Sequence, residues 1–214
     1  MTIARVLIRS IALTVSAEEL GRCRATLNEE ERVRADRFRF EKHARRFTVA
    51  RAFLRETLGE VTGLAPEAVE ITLSPFGKPL VEGVEFNLSH SSELAVVAVA
   101  ESRVGIDVEK LRERPAMEMA ERFFAPDEIE QLRNTTPDDR QHAFFRCWTS
   151  KEAYLKARGE GITIPLDSFV VSLDRDAPAL LRARDDDPSR WSLSRVEVAD
   201  GYVCTVAFEM RQRL

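Results

Sequence analysis

The sequence predicts a duplicated α+β protein, with two halves that each contain helices followed by a small antiparallel sheet. Two observations support this class: helix signals precede strand signals in both halves, and a weak internal repeat relates the halves. A doubly wound sheet is not expected, because strands and helices do not alternate and neither a GxGxxG motif nor a P-loop occurs. Since ligand sites favour interfaces between units, we expect the site at the seam of the two halves.

The repeat consists of three short segments that occur in the same order in both halves. The matching pairs are 47–55 (FTVARAFLR) with 148–156 (WTSKEAYLK), 86–90 with 191–195, and 95–101 with 203–209. We therefore divide the chain near residue 101, into an N-terminal half of residues 1–101 and a C-terminal half of residues 102–214.

Helix signals open the N-terminal half. The two capping boxes expected to begin helices are Ser16 with Glu19 and Asn28 with Glu31. A third helix is expected from about Arg45, with Gly59 at its end. Strand-like segments follow at 69–73, 85–89 and 94–100. Residues 74–79 (SPFGKP) are expected to form a loop, because two prolines exclude a central strand.

Proline positions organise the C-terminal half. A proline at the first turn predicts one helix from Pro126 to Leu132 and a longer one from Pro137 to Arg158, which Gly159 and Gly161 would end. The segments expected as strands are 169–173, 191–198 and 202–209, with 185–188 (DDDP) as a polar turn.

Charge and cysteine content restrict the class of protein. The net charge is −4, yet residues 32–55 contain nine Arg or Lys against two acidic residues, which indicates an anionic ligand. A nucleic-acid-binding protein using this stretch is one alternative, although the acidic chain with 7% aromatic residues lacks the basic, aromatic-rich composition of that class.

Three widely spaced cysteines predict free thiols in the cytoplasm. Residues 1–15 predict an opening strand rather than an export signal or a membrane helix.

Two segments carry the candidate chemistry. Residues 104–110 alternate as a strand, so that Asp107 and Glu109 share one face. Trp148, Glu152 and Lys156 follow at helical spacing and form one stripe. If strand and helix face each other, three carboxylates and an ammonium surround one point, an oxygen set that suits Mg²⁺ or Mn²⁺. The alternatives are a solvated edge strand and an ordinary i,i+4 surface pair.

The motifs of the chain together resemble those of the 4′-phosphopantetheinyl transferases of the surfactin-synthetase type. They are FGKP at 76–79, FNLSHS at 86–91, GIDVE at 105–109, FF at 123–124 with Glu128, and WTSKEAYLK at 148–156. The resemblance covers roughly residues 30–173. It implies two similar α/β halves related by pseudo-twofold symmetry, and transfer of the 4′-phosphopantetheine of coenzyme A to a serine of an apo carrier protein, with release of adenosine 3′,5′-bisphosphate.

The resemblance also assigns roles in catalysis. Asp107, Glu109 and Glu152 would hold Mg²⁺, with Mn²⁺ as the substitute, against the pyrophosphate. Glu152 would accept the serine proton, directly or through a water, and Lys156 would stabilise charge on the phosphate, so that Asp107, Glu152 and Lys156 are the catalytic set. Glu128 would lie nearby in a supporting role.

Coenzyme A and carrier contacts follow from the same resemblance. The residues expected to contact the coenzyme are Arg46, Gly77, Lys78, Pro79, Ser89, His90, Lys151 and Lys156. The carriers would belong to fatty acid, polyketide or nonribosomal peptide synthesis, and residues 111–124 would be either their docking surface or core. A monomeric cytoplasmic enzyme without nucleic-acid or membrane partners is expected. A homologue that binds coenzyme A without turnover is the second alternative.

Overall fold

The computed structural model describes residues 6–160 and 163–210. In this part, the N-terminal half contains β1 (Leu7–Ala12), α1 (Ala17–Thr26), α2 (Glu29–Asp36), α3 (Glu41–Thr62), β2 (Thr72–Leu73), β3 (Pro79–Leu80), β4 (Glu85–Ser91) and β5 (Leu94–Ala100). The C-terminal half contains β6 (Val104–Lys110), α4 (Ala116–Phe123), α5 (Pro126–Asn134), α6 (Pro137–Arg158), β7 (Phe169–Val171), β8 (Leu180–Ala183), β9 (Trp191–Arg195) and β10 (Tyr202–Glu209). The predicted α+β class is confirmed.

Two antiparallel three-stranded sheets form the framework of the described residues. Their strand orders are β1-β5-β4 and β6-β10-β9, so in each half the last strand lies between the other two. Apolar side chains of both sheets pack into one cluster, which includes Val96, Ile106 and Val206. The proposed division near residue 101 falls in the connection between β5 and β6 and stays a prediction.

The predicted capping boxes at the first two helices are confirmed, whereas the end of the third helix is wrong. Helix α3 begins at Glu41 and continues past Gly59 to Thr62, where Gly63 adopts a left-handed conformation with φ 74°. Gly59 instead allows a close approach of the following loop, because a Cβ at this position would lie 2.8 Å from the carbonyl oxygen of Leu64.

Several other boundaries differ from the sequence-based expectation. Segment 69–73 is a strand only at β2, and Pro79 pairs in β3, because a proline is compatible with this short two-stranded hairpin. Helix α5 runs two residues longer than expected, β7 and β9 are shorter, and α4 and β8 were not predicted. Helix α6 and strands β5 and β10 have the predicted bounds, and Gly159 ends α6. Gly161 and residues 1–5 of the expected opening strand lie outside the described residues.

Two buried ion pairs, one in each half, show that the sequence alignment of the internal repeat has the wrong register. Arg55 binds Glu31 at 2.6 Å and the carbonyl of Val69 at 3.0 Å, while Lys151 binds Glu128 at 2.7 Å and the carbonyl of Phe169 at 2.7 Å. Each glutamate is the third residue of its helix and accepts a hydrogen bond from the backbone amide of the residue before the helix, Asn28 or Ala125. The helices therefore correspond with a separation of 96 positions, from 55 to 151, whereas the sequence alignment of 47–55 with 148–156 used 101.

The contact between β6 and α6 depends on Gly105. A Cβ at this residue would lie 2.2 Å from the carbonyl oxygen of Ala153 and 2.3 Å from the amide nitrogen of Ala157. Because both atoms belong to helix backbone, only glycine allows the helix to lie this close to the strand. Residues two and four positions further along β6 share this face of the strand, so the same contact directs Asp107 and Glu109 toward α6.

Substitution of Gly105 by alanine is expected to destabilise the protein by about 3 kcal/mol or more, since the clashing atoms are backbone and cannot move aside independently. Urea unfolding monitored by circular dichroism measures this change. Gly21→Ala is the matched control: apart from its own helix, no atom of the described residues lies within 4 Å of its Cβ position in α1, and about 1 kcal/mol of stabilisation is expected from helix propensity. Equal stability of both variants would contradict the close-contact interpretation.

Candidate active site

A cavity of about 660 Å³ lies at the seam, where β4 and α3 of the N-terminal half meet β6 and α6 of the C-terminal half. Its lining residues are Arg34, Phe47, Ala50, Arg51, Leu73, Gly77, Pro79, Leu88, Ser89, His90, Asp107, Glu109, Trp148, Glu152 and Lys156. The volume lies within the range of small-molecule sites. The strand carboxylates and the helical stripe singled out in the sequence all line this cavity.

Lys156 and Asp107 form the ion pair at the base of this cavity. The ammonium lies 2.5 Å from Asp107 Oδ1 and also donates to Ser89 Oγ at 3.1 Å and to the Ile106 carbonyl at 3.4 Å. Burial raises the pKa of Asp107, and Lys156 opposes that shift. Asp107 Oδ2 is buried and has no hydrogen-bond partner among the described residues, so one oxygen is available to a ligand.

Glu152 and Glu109 complete the acidic side of the cavity. Burial raises the pKa of Glu152, repulsion from Asp107 and Glu109 raises it further, and Lys156 lowers it. Glu109 accepts a hydrogen bond from Ser91 Oγ at 2.7 Å. The three carboxylates are therefore close enough to repel each other, which a divalent cation would relieve.

A metal would fit this set, although no coordination cage is formed. Within residues 6–160 and 163–210, no group of three or more His, Cys, Asp or Glu side chains is arranged to hold an ion. Lys156 neutralises one oxygen of Asp107, and Ser91 holds one oxygen of Glu109. The unpartnered Asp107 Oδ2 and the oxygen-only donor set match the ligands that Mg²⁺ prefers.

The wall provided by the N-terminal half is basic and apolar. Arg34 lies over the Phe47 ring, 5.1 Å from its centroid, and Arg51 binds Glu31 at 2.5 Å. His90 is exposed to the cavity. Partial desolvation of its imidazole lowers its pKa, and the cations Lys156 and Arg46 lower it further. Sequence reasoning did not place Phe47 in the site; Arg34 and Arg51 both belong to the basic stretch that indicated an anionic ligand.

The predicted phosphate-binding loop is only partly directed into the cavity. Gly77, with φ 81°, and Pro79 line it. Lys78 instead donates to the carbonyl of Lys156 at 3.1 Å and to that of Val104 at 3.5 Å, beside an adjoining cavity of about 230 Å³. Its ammonium therefore joins the end of α6 to β6, and desolvation lowers its pKa.

Arg46 is not among the lining residues of the seam cavity. Its guanidinium pairs with Glu93, which Lys42 also contacts at 3.2 Å. The hydrogen bond from Arg46, with smaller contributions from Lys42 and Thr14, lowers the pKa of Glu93 to about 2. Arg46 therefore holds the turn after β4, and its contact with the coenzyme stays a prediction.

Lys151 corrects the sequence-based assignment most clearly. Its side chain is 0% exposed, paired with Glu128 at 2.7 Å and bonded to the carbonyls of Leu166 and Phe169. The predicted phosphate contact is wrong in this structure, because the ammonium cannot reach a ligand. Glu128, also 0% exposed, accepts from the amides of Ala125 and Val171 and so joins α5, α6 and β7; it is not among the lining residues of the seam cavity, beside which it was expected.

Replacing Lys151 by methionine is expected to lower the free energy of unfolding by about 3–5 kcal/mol, because Glu128 would be left buried without its counterion. Chemical denaturation measures the loss. The same substitution at Lys42, in an exposed pair with Glu93, should cost about 1 kcal/mol or less. A Lys151 variant that keeps its stability but binds coenzyme A weakly would restore the original assignment.

Two further expectations are answered by the fold. In segment 111–124, Phe124 is buried, and Met117, Met119 and Phe123 are partly buried against the C-terminal core, which favours the core interpretation. In the basic stretch, most cations are paired with carboxylates rather than free for nucleic acid; the paired residues are Arg32, Lys42, Arg45, Arg46, Arg51 and Arg55.

Comparison with known proteins agrees with the site geometry. A model of the N-terminal region of 4′-phosphopantetheinyl transferases matches residues 13–102, and the model of the 4′-phosphopantetheinyl transferase superfamily matches residues 103–207. The 4′-phosphopantetheinyl transferase HetI of Nostoc sp. is 41% identical over 92% of this chain and 84% of its own length. The chain belongs to the 4′-phosphopantetheinyl transferase superfamily.

Other phosphopantetheinyl transferases are similar over comparable lengths. Sfp of Bacillus subtilis is 29% identical over 90% of this chain and 86% of its own length, so the predicted long, surfactin-synthetase type is confirmed. A solved holo-acyl-carrier-protein synthase of Thermotoga maritima has a TM-score of 0.41 and 23% identity over 51% of this chain and 64% of its own. The predicted enzyme class is confirmed: phosphopantetheinyl transferases move the phosphopantetheine group to carrier proteins.

Among the residues that the structure describes, the helices are too short or too polar to span a bilayer.

Proposed function

We propose that this phosphopantetheinyl transferase takes its 4′-phosphopantetheine group from coenzyme A, passes it to a serine hydroxyl of an apo carrier protein and releases adenosine 3′,5′-bisphosphate. The observation that supports this substrate is the charge division of the seam cavity. Arg34 and Arg51 lie on one side, Asp107, Glu109 and Glu152 on the other. A polyphosphate ester that also binds a cation suits both sides at once.

The coenzyme would lie across the seam. The adenosine end suits the N-terminal wall, where Arg34, unlike Arg51, makes no ion pair among the described residues and offers a phosphate contact beside the Phe47 ring. The pyrophosphate then reaches His90 and Lys156. Gly77, which has no side chain, allows the backbone of the β2–β3 loop to approach it. Ser89 and Pro79 line the same region.

Asp107, Glu109 and Glu152 would hold Mg²⁺, or Mn²⁺ in its place. When bound, the ion would neutralise charge on the pyrophosphate and help orient it for in-line attack. The buried Asp107 Oδ2 and the raised pKa values of Asp107 and Glu152 support this set, because an adjacent cation favours their ionised forms.

The protein's own side chains would accept the serine proton and stabilise the charge that develops on the phosphate. Glu152 faces the cavity without the ion pair that Asp107 makes, and its carboxylate would accept the proton of the attacking serine hydroxyl. Lys156 would donate to a phosphate oxygen as negative charge develops, exchanging its longest hydrogen bond, at 3.4 Å to the Ile106 carbonyl. Asp107 holds the ammonium in place for this contact.

The chain is proposed to act as a monomer, because residues of both halves of one chain line the whole cavity. The proposed acceptors are carriers of fatty acid, polyketide or nonribosomal peptide synthesis. The three cysteines are unpaired, which favours the cytoplasm. A non-catalytic homologue has no physical need to hold three repelling carboxylates around a lysine, which argues against that alternative.

Glu152→Gln is expected to lower kcat by about 10²–10⁴-fold, because the amide cannot accept the serine proton. Mass spectrometry of apo carriers from the three pathways, incubated with coenzyme A and Mg²⁺, measures transfer as a gain of one phosphopantetheine. Asp107→Asn should be equally impaired. Glu130→Gln, an exposed carboxylate on α5, is the matched control and should transfer normally.

The same assay separates the alternatives. Wild-type protein that binds coenzyme A yet leaves every carrier unmodified would support the non-catalytic homologue. Salt-sensitive binding of oligonucleotides without coenzyme A binding would support the nucleic-acid alternative.

His90→Ala is expected to raise the KM for coenzyme A about tenfold with little change in kcat, since a phosphate contact held in both ground and transition states affects binding alone. Steady-state kinetics at saturating carrier measure both constants. His43→Ala, on the exposed first turn of α3, serves as the control. An unchanged KM would remove His90 from the coenzyme site.

A further inference from the structure

Strand β6 has a paired edge and an unpaired edge. Its ladder with β10 satisfies one edge, while the amides of Ile106, Val108 and Lys110 point to the other, where no strand of the described residues pairs with it. Buried amides without acceptors would be costly. Strand β4 supplies those acceptors through side chains rather than through its backbone.

The acceptors follow the two-residue period of the strand edge. Asn87 Oδ1 accepts from the Ile106 amide at 2.9 Å, Ser89 Oγ from the Val108 amide at 3.4 Å, and Ser91 Oγ from the Lys110 amide at 3.1 Å. All three side chains are 8% exposed or less. Because both strands alternate with the same period, each β4 side chain meets the next available amide of β6.

The hydroxyl groups of Ser89 and Ser91 donate hydrogen bonds to the proposed metal ligands. Ser89 Oγ donates to Asp107 Oδ1 at 3.0 Å, and Ser91 Oγ donates to Glu109 Oε2 at 2.7 Å. Each hydroxyl thus accepts from a backbone amide of β6 and donates to a carboxylate of the same strand. One oxygen of each carboxylate is held, and Asp107 Oδ2 is left unpartnered.

We propose that Asn87, Ser89 and Ser91 form a seam latch, which sets the register of β6 against β4 and orients the carboxylates of Asp107 and Glu109 for the metal. The proposal rests on the function proposed above and concerns how the site is positioned. The latch couples the N-terminal half, which would bind the coenzyme, to the strand that carries the acidic residues.

Ser89 has no hydrogen-bonding capacity left for a ligand. A hydroxyl has one donor and two acceptor positions. In Ser89 the donor is used by Asp107, and the acceptors by the Val108 amide and the Lys156 ammonium at 3.1 Å. Ser89 is therefore assigned as a positioning residue, although it lines the cavity and was expected to contact the coenzyme.

Ser91 allows the cleanest test, because it is not among the lining residues of the cavity. Its loss would act on the metal only through Glu109. The competing partner of Glu109 is Arg112, 3.7 Å away and half-exposed, so a Glu109 released by Ser91 would turn toward that guanidinium.

The experiment measures Mn²⁺ binding to the free protein by electron paramagnetic resonance, without coenzyme or carrier. Ser91→Ala is expected to weaken Mn²⁺ binding about 10–100-fold, the usual effect of removing a hydrogen-bond partner of a metal ligand. Ser91→Thr, which keeps the hydroxyl, should restore most of the affinity. Amide exchange at Lys110 should be faster in Ser91→Ala, because that amide loses its acceptor.

A second substitution tests whether Arg112 is responsible for the loss of Mn²⁺ affinity. Adding Arg112→Ala to Ser91→Ala should recover part of the lost affinity if Arg112 captures the released Glu109. Ser194→Ala, an exposed serine on β9, is the matched control and should bind Mn²⁺ normally. If the alanine variant unfolds, Ser91→Cys, of similar size and a weak donor, replaces it.

The outcomes are distinct. Unchanged Mn²⁺ affinity in a folded Ser91→Ala variant overturns the latch while leaving the proposed transfer reaction intact. Weaker binding of coenzyme A in the absence of metal would instead make Ser91 a coenzyme contact and also overturn the latch. A wild-type protein that transfers phosphopantetheine but binds no Mn²⁺ would overturn the proposed metal set and the latch together.

Discussion

The site depends on the direct contact between the backbone of α6 and strand β6 at Gly105. No Cβ fits there, because the carbonyl of Ala153 and the amide of Ala157 would lie 2.2 and 2.3 Å from it. This contact brings Glu152 and Lys156, which flank Ala153 and Ala157 in sequence, beside Asp107 and Glu109 on the same face of β6. A larger residue at position 105 would separate the helix from the strand, and the four charged groups would no longer face one cavity.

The rest of the architecture holds these charges in place on both sides of the seam. Side chains of β4 satisfy the free edge of β6, and the Lys78 ammonium joins the end of α6 to the same strand. The buried pair of Glu128 and Lys151 holds α6 against α5 and β7. Carboxylates that repel each other are thus kept together by neighbouring hydrogen bonds and ion pairs, which is the arrangement expected where a cation is to be bound.

The two halves are similar in framework and different in chemistry. Glu31 with Arg55 and Glu128 with Lys151 perform the same structural task in each half. In the register set by these pairs, Glu152 and Lys156 correspond to Glu56 and Glu60 rather than to Arg51 and Arg55. Arg34 on α2 and Arg51 on α3 therefore lie at positions that do not correspond to those of the acidic cluster, and the two groups meet only because the halves pack across the seam.

The sequence by itself determined the α+β class, the strand at 104–110, the helix at 137–158 and the stripe of Trp148, Glu152 and Lys156, because alternation, helical spacing and proline or glycine signals are local properties. The tertiary structure alone decided which charged and polar side chains are free to contact a ligand. Lys151 is one residue from Glu152, yet it is buried against Glu128, whereas the hydroxyls of Ser89 and Ser91 are used by β6. Each of those partners is distant in the sequence, and a hydrogen bond or ion pair between distant segments depends on packing that local spacing does not specify.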